Sequence, residues 1–467
     1  MTIKVLNNRI FQSDGYEIEN AKSVEIPIEK PLTCAITSYT CPSLSFHVEN
    51  MCLRARQSRL QLPHGVVETP IFMPVGTNGT VKGMTNEDLE KIGYQLILGN
   101  TYHLGNRPGI SVLRQFSGLH TFMGWKKNIL TDSGGFQMVS LLKLAQITEV
   151  GVEFLSPVDN SKQLLTPEMS MAIQNCIGAD IMMALDDVIP ATLDDHNRVK
   201  EATSRTTRWL DRCIQGHKRP LEQNLFAIVQ GGLNETLRLQ SLRDLKERNL
   251  PGYAIGGLSG GEEKDKFWRI VELCTRRVDS TGLPENKPRY LMGVGYPLDM
   301  IVSVAFGVDM FDCVYPARTA RFGTAIVPEG TLRLKQNRYA YDNRVLQKDC
   351  PCAACKEYTR SYLHKSLDKK ALGIRLLTLH NMTYMYRFFQ DIRRSIATNT
   401  FSQYVVKFLK AQYHSNLIVK YLDCDSCKDK DTSQESCLDE VDRQPPHWVR
   451  CALQVAGISL DNLYAWE

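Results

Sequence analysis

The chain has 467 residues, 43% of them hydrophobic and 23% charged, the composition of an ordinary soluble protein with room for one large domain and an accessory module. No stretch reaches the roughly 18 consecutive apolar residues of a membrane span, the start lacks a secretory signal, and early acids (Asp14, Glu17, Glu19, Glu25, Glu29) argue against a mitochondrial transit peptide; a cytoplasmic location is expected. A net charge of +5 permits a nucleic-acid partner without requiring one, and 14 cysteines in such a chain point to reduced thiols or metal ligands rather than a disulfide framework.

Residues 1–43 show no strong periodicity and read as an extension outside the main core. From 44 onward short apolar runs alternate with amphipathic stretches. The runs are Pro70–Val75, Gln95–Leu98, Ile129–Thr131, Ile181–Leu185, Leu225–Val229, Tyr253–Ile255, Tyr290–Met292 and Met310–Phe311. Each has the length of a buried parallel strand and is too short for an independent helix. Between them lie helical segments with clear punctuation. Thr166-Pro167-Glu168 supplies an N-cap, a proline at the first helical position and an acidic first turn. Met169, Ala172, Ile173 and Cys176 mark one face, and Gly178 closes the helix. Similar segments cover 199–215, 234–248, 262–277 and 297–307. About eight strand–helix units predict an α/β fold, a (β/α)8 barrel. A doubly wound open sheet is the alternative, because periodicity does not show whether the sheet closes.

Polar residues fall at one place in this pattern. Asp132, Asp186, Gln230, Gly257 and Asp312 come at or just after the C-terminal ends of predicted strands. In a barrel those ends share one mouth, where reactive groups gather. A lone Asp there would be read as a helix N-cap; three, each following its own strand, form a candidate site.

Three motifs carry chemistry. In Leu130-Thr131-Asp132-Ser133-Gly134-Gly135-Phe136-Gln137, paired glycines let the backbone approach a ligand beside a carboxylate and an aromatic ring. In Asp309-Met310-Phe311-Asp312-Cys313-Val314-Tyr315-Pro316, a strand-end carboxylate precedes Arg318 and Arg321, which suits a nucleophile beside an anionic substrate. Finally Cys350-x-Cys352-x-x-Cys355, followed by His380, offers three thiolates and an imidazole: a closed tetrahedral shell for one structural zinc. His364 competes as fourth ligand. Lys356, Arg360, Lys365, Lys369, Lys370 and Arg375 flank this inserted module with a basic surface able to track a phosphate backbone.

These motifs are carried by blocks that resemble the tRNA-guanine transglycosylases: Phe72-Met73-Pro74-Val75-Gly76-Thr77, Gly99-Asn100-Thr101-Tyr102-His103-Leu104, Asp132 to Gln137, Gly256-Gly257-Leu258, Asp312-Cys313-Val314 and the Cys/Cys/Cys/His set. The likeness runs from about 44 to 410 and returns at Pro446–Leu460. It implies a (β/α)8 barrel with an inserted zinc module near the C-terminus, divided as 1–43 extension, 44–335 catalytic barrel, 336–413 zinc module and closing helices, and 414–467 C-terminal segment. It also implies double displacement at a ribose anomeric carbon of tRNA, through a covalent intermediate on Asp312, with Asp132 moving the proton. The same division of labour serves retaining glycosidases. By the family pattern Asp186, Gln230, Gly257 and Leu258 read the base edge, and Phe136 and Met292 sandwich its ring. Arg318 and Arg321 lie close to the anticodon loop, which must present its base splayed from a single strand.

Bacterial members insert a small aminomethyl precursor, whereas eukaryotic ones insert queuine. Gly260 stands where bacterial sequences have a larger Val, and Val188 where they have Cys, so queuine is expected; the other reading of Gly260 is a glycine needed only for its backbone conformation. The family implies target tRNAs with a GUN anticodon (Asp, Asn, His, Tyr) and a heterodimer with a non-catalytic homologue. That homologue is the rival identity, though Asp132 and Asp312 are both present here. Family members can associate with the outer mitochondrial membrane, and nothing in the sequence encodes an anchor. Two regions depart from the pattern: residues 1–43, and an insertion at 415–444 with Cys424-x-x-Cys427 and Cys437. No fourth ligand stands out in the insertion, so it reads as a reduced loop rather than a second metal site.

Overall fold

The computed structural model describes residues 43–463 apart from 78, 137–144, 156–160, 278–279, 368–370 and 414–443; Gln137, Lys369, Lys370 and the cysteines of the insertion lie outside the described residues. Three antiparallel strands, β1 (Ser45–Cys52), β2 (Ala55–Leu62) and β3 (Gly65–Thr69), open the described chain as a meander. Next come β4 (Ile71–Gly76), β5 (Leu96–Gly99) and β6 (Asn128–Thr131), then a small antiparallel insert, β7 (Gln146–Ile147), β8 (Val152–Leu155) and β9 (Lys162–Leu165). Strands β10 (Ile181–Met183), β11 (Asn224–Val229), β12 (Gly252–Ile255), β13 (Arg289–Leu291) and β14 (Met310–Cys313) follow, each separated by helix. The sheet closes: β4, β5, β6, β10, β11, β12, β13 and β14 form one parallel barrel, joined by Met310–Cys313 pairing with Ile71–Pro74. All eight predicted runs are barrel strands, and closure decides for the barrel over the open sheet.

Alternation along these short strands sorts the side chains into two layers. Ile71, Met73, Val75, Leu96, Leu98, Leu130, Met183, Ile228, Tyr290 and Met310 fill the interior, while Phe72, Ile97, Ile129, Met182, Ala227, Val229, Leu291 and Phe311 pack into the surrounding helices. Leu60, Leu62 and Val67 of the meander join the interior cluster and floor the barrel. The floor is locked by charge. Arg56 donates from Nε and Nη2 to both oxygens of Asp309, at 2.8 and 2.5 Å, with both side chains fully buried. Such a buried bidentate pair costs about 3–5 kcal/mol if one partner is removed.

The helices begin and end as their sequences dictate. Thr166 accepts the Met169 amide at 3.2 Å, and Gly178 closes Pro167–Ile177 in the left-handed conformation. Asp195 caps His196–Gly216 and Asn234 caps Glu235–Lys246. After β14 the chain makes the helix Tyr315–Arg321 and a hairpin, β15 (Thr324–Val327) and β16 (Gly330–Arg333), before the long helix Ala371–Ala397. That helix packs on the barrel, its Phe389 ring 5.5 Å from Phe311 of β14.

Candidate active site

One further step of strand alternation, past the last apolar interior residue, delivers Asp132, Gln230, Met292 and Asp312 to the C-terminal mouth. Asp312 follows Met310 on β14. Its Oδ1 accepts a 2.5 Å hydrogen bond from the Tyr290 hydroxyl and a 2.8 Å bond from the Gly293 amide. Both donors reach the same oxygen, and among the described residues none donates to Oδ2. Burial pushes the Asp312 carboxyl above the usual carboxylate range; Tyr290 and Gly293 oppose the rise and the Asp132 charge adds to it. Burial and the adjoining carboxylates likewise hold the Tyr290 phenol protonated, well above its ordinary value.

Asp132 is 8% exposed. It accepts from Asn100 Nδ2 at 2.6 Å, the Thr101 amide at 2.8 Å and the Gly134 amide at 3.2 Å, while the Thr101 hydroxyl donates to its carbonyl at 2.5 Å. Asn100 and Thr101 stand where β5 turns into the helix Thr101–Leu104, so two neighbouring strand ends fix one carboxylate.

Asp186 is 5% exposed and accepts from Gln230 Nε2 at 2.7 Å and from Ser133 Oγ at 3.2 Å. Burial, reinforced by the Asp187 charge, pushes its carboxyl up to about 6. Asp187 itself is neutralised by Arg198 (2.8 and 2.5 Å) and Arg205 (2.6 Å), and so belongs to the frame. Gln230 keeps one amide hydrogen beyond its bond to Asp186, and among the described residues its buried Oε1 has no partner. Next to it runs the Gly256-Gly257 turn. A Cβ at Gly257 would stand 2.5 Å from Gln230 Oε1, and the residue is left-handed (φ 68°), so both space and conformation demand glycine. Leu258 is half-buried against the outer core. At Gly260 the backbone is not left-handed. An added Cβ there would come 3.2 Å from Ala191 Cβ and 3.4 Å from Ala191 N, so the absent side chain lets this loop pass close to Ala191.

The two residues expected to sandwich a ring follow different strands of the mouth. Phe136, in the first helical turn after β6, is 60% exposed, and Met292, after β13, is half-buried against the interior cluster. Arg318 is exposed on the helix that follows Asp312, and Arg321 is half-buried with Nη1 donating to the Ala317 carbonyl at 3.3 Å.

Tyr290, Ser133, Asn100, Thr101 and Arg238 were not singled out from sequence as site residues. Fully buried Arg238 donates at 2.8 Å to the carbonyls of Gly232, Val229 and Gly256, tying the Gln230 and Gly257 loops together. Tyr290 could have been recognised two residues before Met292, on the same inward face of β13.

Cys350, Cys352, Cys355 and His380 come together as a buried cluster. His380 Nδ1 lies 3.6, 3.6 and 3.2 Å from the three sulfurs, close to the edge of about 3.5 Å that a tetrahedron with zinc–ligand bonds of 2.0–2.3 Å requires. Nε2 is 2.9 Å from the Ile326 carbonyl, which fixes the tautomer and leaves Nδ1 for a metal. The donor set therefore fits zinc. His364, turned to the Leu334 carbonyl at 2.7 Å, is not part of it. Asn381, next to His380, accepts the Ile326 amide and donates to the Pro316 and Thr324 carbonyls, fastening the helix that carries His380 to the segment after Asp312. A second cluster, His64, His120 and Asp180, lies at the opposite end of the barrel. Its imidazoles stack at 3.8 Å and 15° from parallel, so no ion can lie in the plane of both. They share the buried Asp180 carboxylate through protons instead.

A family model described as queuine tRNA-ribosyltransferase matches residues 52–414. The queuine tRNA-ribosyltransferase catalytic subunit of Schizosaccharomyces pombe is 51% identical over 384 residues, which cover 80% of this chain and 94% of the relative. The catalytic subunit of Caenorhabditis elegans is 46% identical over 408 residues (87% and 97%). A bacterial queuine tRNA-ribosyltransferase, from Natranaerobius thermophilus, is 47% identical over 358 residues (76% and 95%).

Proposed function

The chain belongs to the queuine tRNA-ribosyltransferase family, and from that premise we propose that it exchanges the wobble guanine of GUN-anticodon tRNAs for queuine by double displacement on Asp312. It is a pentosyltransferase with tRNA-guanine transglycosylase activity. The observation that carries the mechanism is the asymmetry of Asp312: one oxygen is held by Tyr290 and Gly293, and the other has no described donor.

In this reading Asp312 Oδ2 attacks C1′ of the wobble nucleoside. The C1′–N9 bond breaks, its electron pair leaves with guanine, and Asp132 gives the departing base a proton. Asp132 then takes a proton from incoming queuine, the freed nitrogen attacks C1′, and the Asp312 carboxylate departs. One glycosidic bond replaces another, so no energy source is consumed.

Asp186 accepts from the Watson–Crick edge of the base, Gln230 and the Gly257 amide donate to its carbonyl, and the Leu258 carbonyl takes its amino group. Phe136 and Met292 cover its faces. The expectation of queuine rests on the absence of a side chain at Gly260, where bacterial sequences have Val, and Arg318 and Arg321 meet the anticodon-loop backbone. Zinc, held by Cys350, Cys352, Cys355 and His380, cross-links the module and takes no part in the chemistry. A heterodimer with a non-catalytic homologue, and a cytoplasmic location, belong to the same reading.

The test is release of labelled guanine from a cognate tRNA by the chain alone and with a homologous partner, with queuine and the aminomethyl precursor supplied in parallel. Exchange with queuine that vanishes in Asp312→Asn is the expected result. Exchange with the precursor only would remove the argument from Gly260. No exchange in either assembly would make the chain the non-catalytic homologue.

A further inference from the structure

The loop joining β13 to the helix Pro297–Ala305 is pinned to Asp312 and to the residues just after it. At its start the Gly293 amide donates to Asp312 Oδ1 at 2.8 Å. In its middle, Gly295 presses so closely on the end of β14 that an added Cβ would stand 2.4 Å from Cys313 Cβ. At its end the Tyr296 ring lies against Tyr315, with centroids 4.4 Å apart and planes tilted by 43°. Tyr315 is buried and opens the helix that carries Arg318, whereas Tyr296 is 54% exposed. The chain thus spends three contacts on holding one exposed aromatic ring in fixed register with Asp312, at the open end of the barrel. An exposed aromatic face held in fixed register at the mouth is placed to stack on a flat ligand entering there.

We infer that Tyr296 is a stacking platform for an unpaired RNA base adjoining the exchanged nucleotide, an inference that rests on the proposed tRNA-exchange function. Flipping the wobble base into the barrel unstacks its neighbours, whose freed faces seek an aromatic surface. A single tyrosine beside the mouth, with Arg318 on the next helix for the backbone, supplies that surface without reading base identity.

The experiment uses full-length enzyme in the assembly that exchanges guanine, and fluorescently labelled anticodon stem-loops. One RNA is intact, and two carry an abasic residue on either side of the wobble guanine. Tyr296→Ala is expected to weaken binding of the intact stem-loop about thirtyfold, the middle of the range for one base–aromatic stack. It should have almost no effect on one of the abasic RNAs, whose missing base has already forfeited the contact. Tyr296→Phe, which keeps the ring, should recover most of the loss. The inference is overturned if Tyr296→Ala binds all three RNAs as the wild type does. It is equally overturned if the same factor is lost on all three, which is what a merely structural role would give. Guanine exchange by the wild type is read in parallel: its absence would defeat the proposed function, whereas its presence with an unaffected Tyr296→Ala would defeat the platform alone.

Discussion

Removing the hydroxyl of Tyr290 should move the pH dependence of the enzyme in a direction the structure specifies. Tyr290 donates a 2.5 Å bond to Asp312 Oδ1, and this bond opposes the rise that burial imposes on the carboxyl. Tyr290→Phe keeps the ring in the barrel interior, deletes only the donor, and leaves the Gly293 amide in place. A hydrogen bond to a charged group contributes about 1.5–3 kcal/mol. At 1.36 kcal/mol per pH unit, its loss lifts the Asp312 carboxyl by about 1–2 units. The sign is fixed: the donor stabilises the ionised form, so without it less carboxylate is present at any given acidic pH. The acid limb of kcat/KM for guanine exchange should therefore shift to higher pH by about 1–2 units. Rate profiles of the two proteins decide the matter. A uniform loss of activity with an unmoved acid limb would mean that Tyr290 acts through packing, and the electrostatic argument would fail.

Asp186→Asn should abolish exchange yet stabilise the fold at neutral pH. Its carboxyl titrates at about 6 against 3.8 when exposed, so its ionisation costs about 3 kcal/mol of stability, a penalty absent below the lower value and complete above the upper one. Urea midpoints should coincide for the two proteins below pH 3.8, draw apart as the pH rises to about 6, and differ by a constant amount above it; parallel pH profiles would refute the assignment. Gly257→Ala should raise KM for the free base more than tenfold, since its Cβ would collide with Gln230 and its backbone is left-handed. A KM unchanged in steady-state exchange would contradict that. Metal analysis should find one zinc per chain, lost in Cys355→Ser together with several degrees of thermal stability, because three clustered thiols and His380 no longer close around an ion. Full zinc content in that variant would show that the ligand set is wrong.

How much of this was legible beforehand follows from burial. Barrel strands are covered on both faces, so each stands out as a short apolar run, and all eight were found. The strand-end carboxylates were legible because a charge directly after such a run has nowhere neutral to go. The meander β1–β3 was not, since β1 is largely exposed and lacks a one-sided apolar face. The helix Ala371–Ala397 was hidden for the opposite reason. Thr378, His380, Asn381 and Thr383 are buried among its apolar residues and break its 3.6-residue rhythm: Asn381 accepts the Ile326 amide of β15, His380 joins the thiol cluster, and the two threonines donate to carbonyls of their own helix. Spacing alone could not choose between His364 and His380; the Leu334 carbonyl that occupies His364 decides it. Tyr290 escaped notice because a strand tyrosine reads as core until its hydroxyl is seen to end on Asp312.

The most direct test of the double displacement is a trapping experiment. Full-length enzyme is incubated with an anticodon stem-loop and no free base, quenched in denaturant, and digested for mass spectrometry of RNA-bearing peptides. The account predicts an adduct on the peptide containing Asp312, attached through C1′ and lacking the wobble guanine, absent from Asp312→Asn and discharged by added queuine. An adduct on another residue, or efficient exchange by Asp312→Asn, would contradict it.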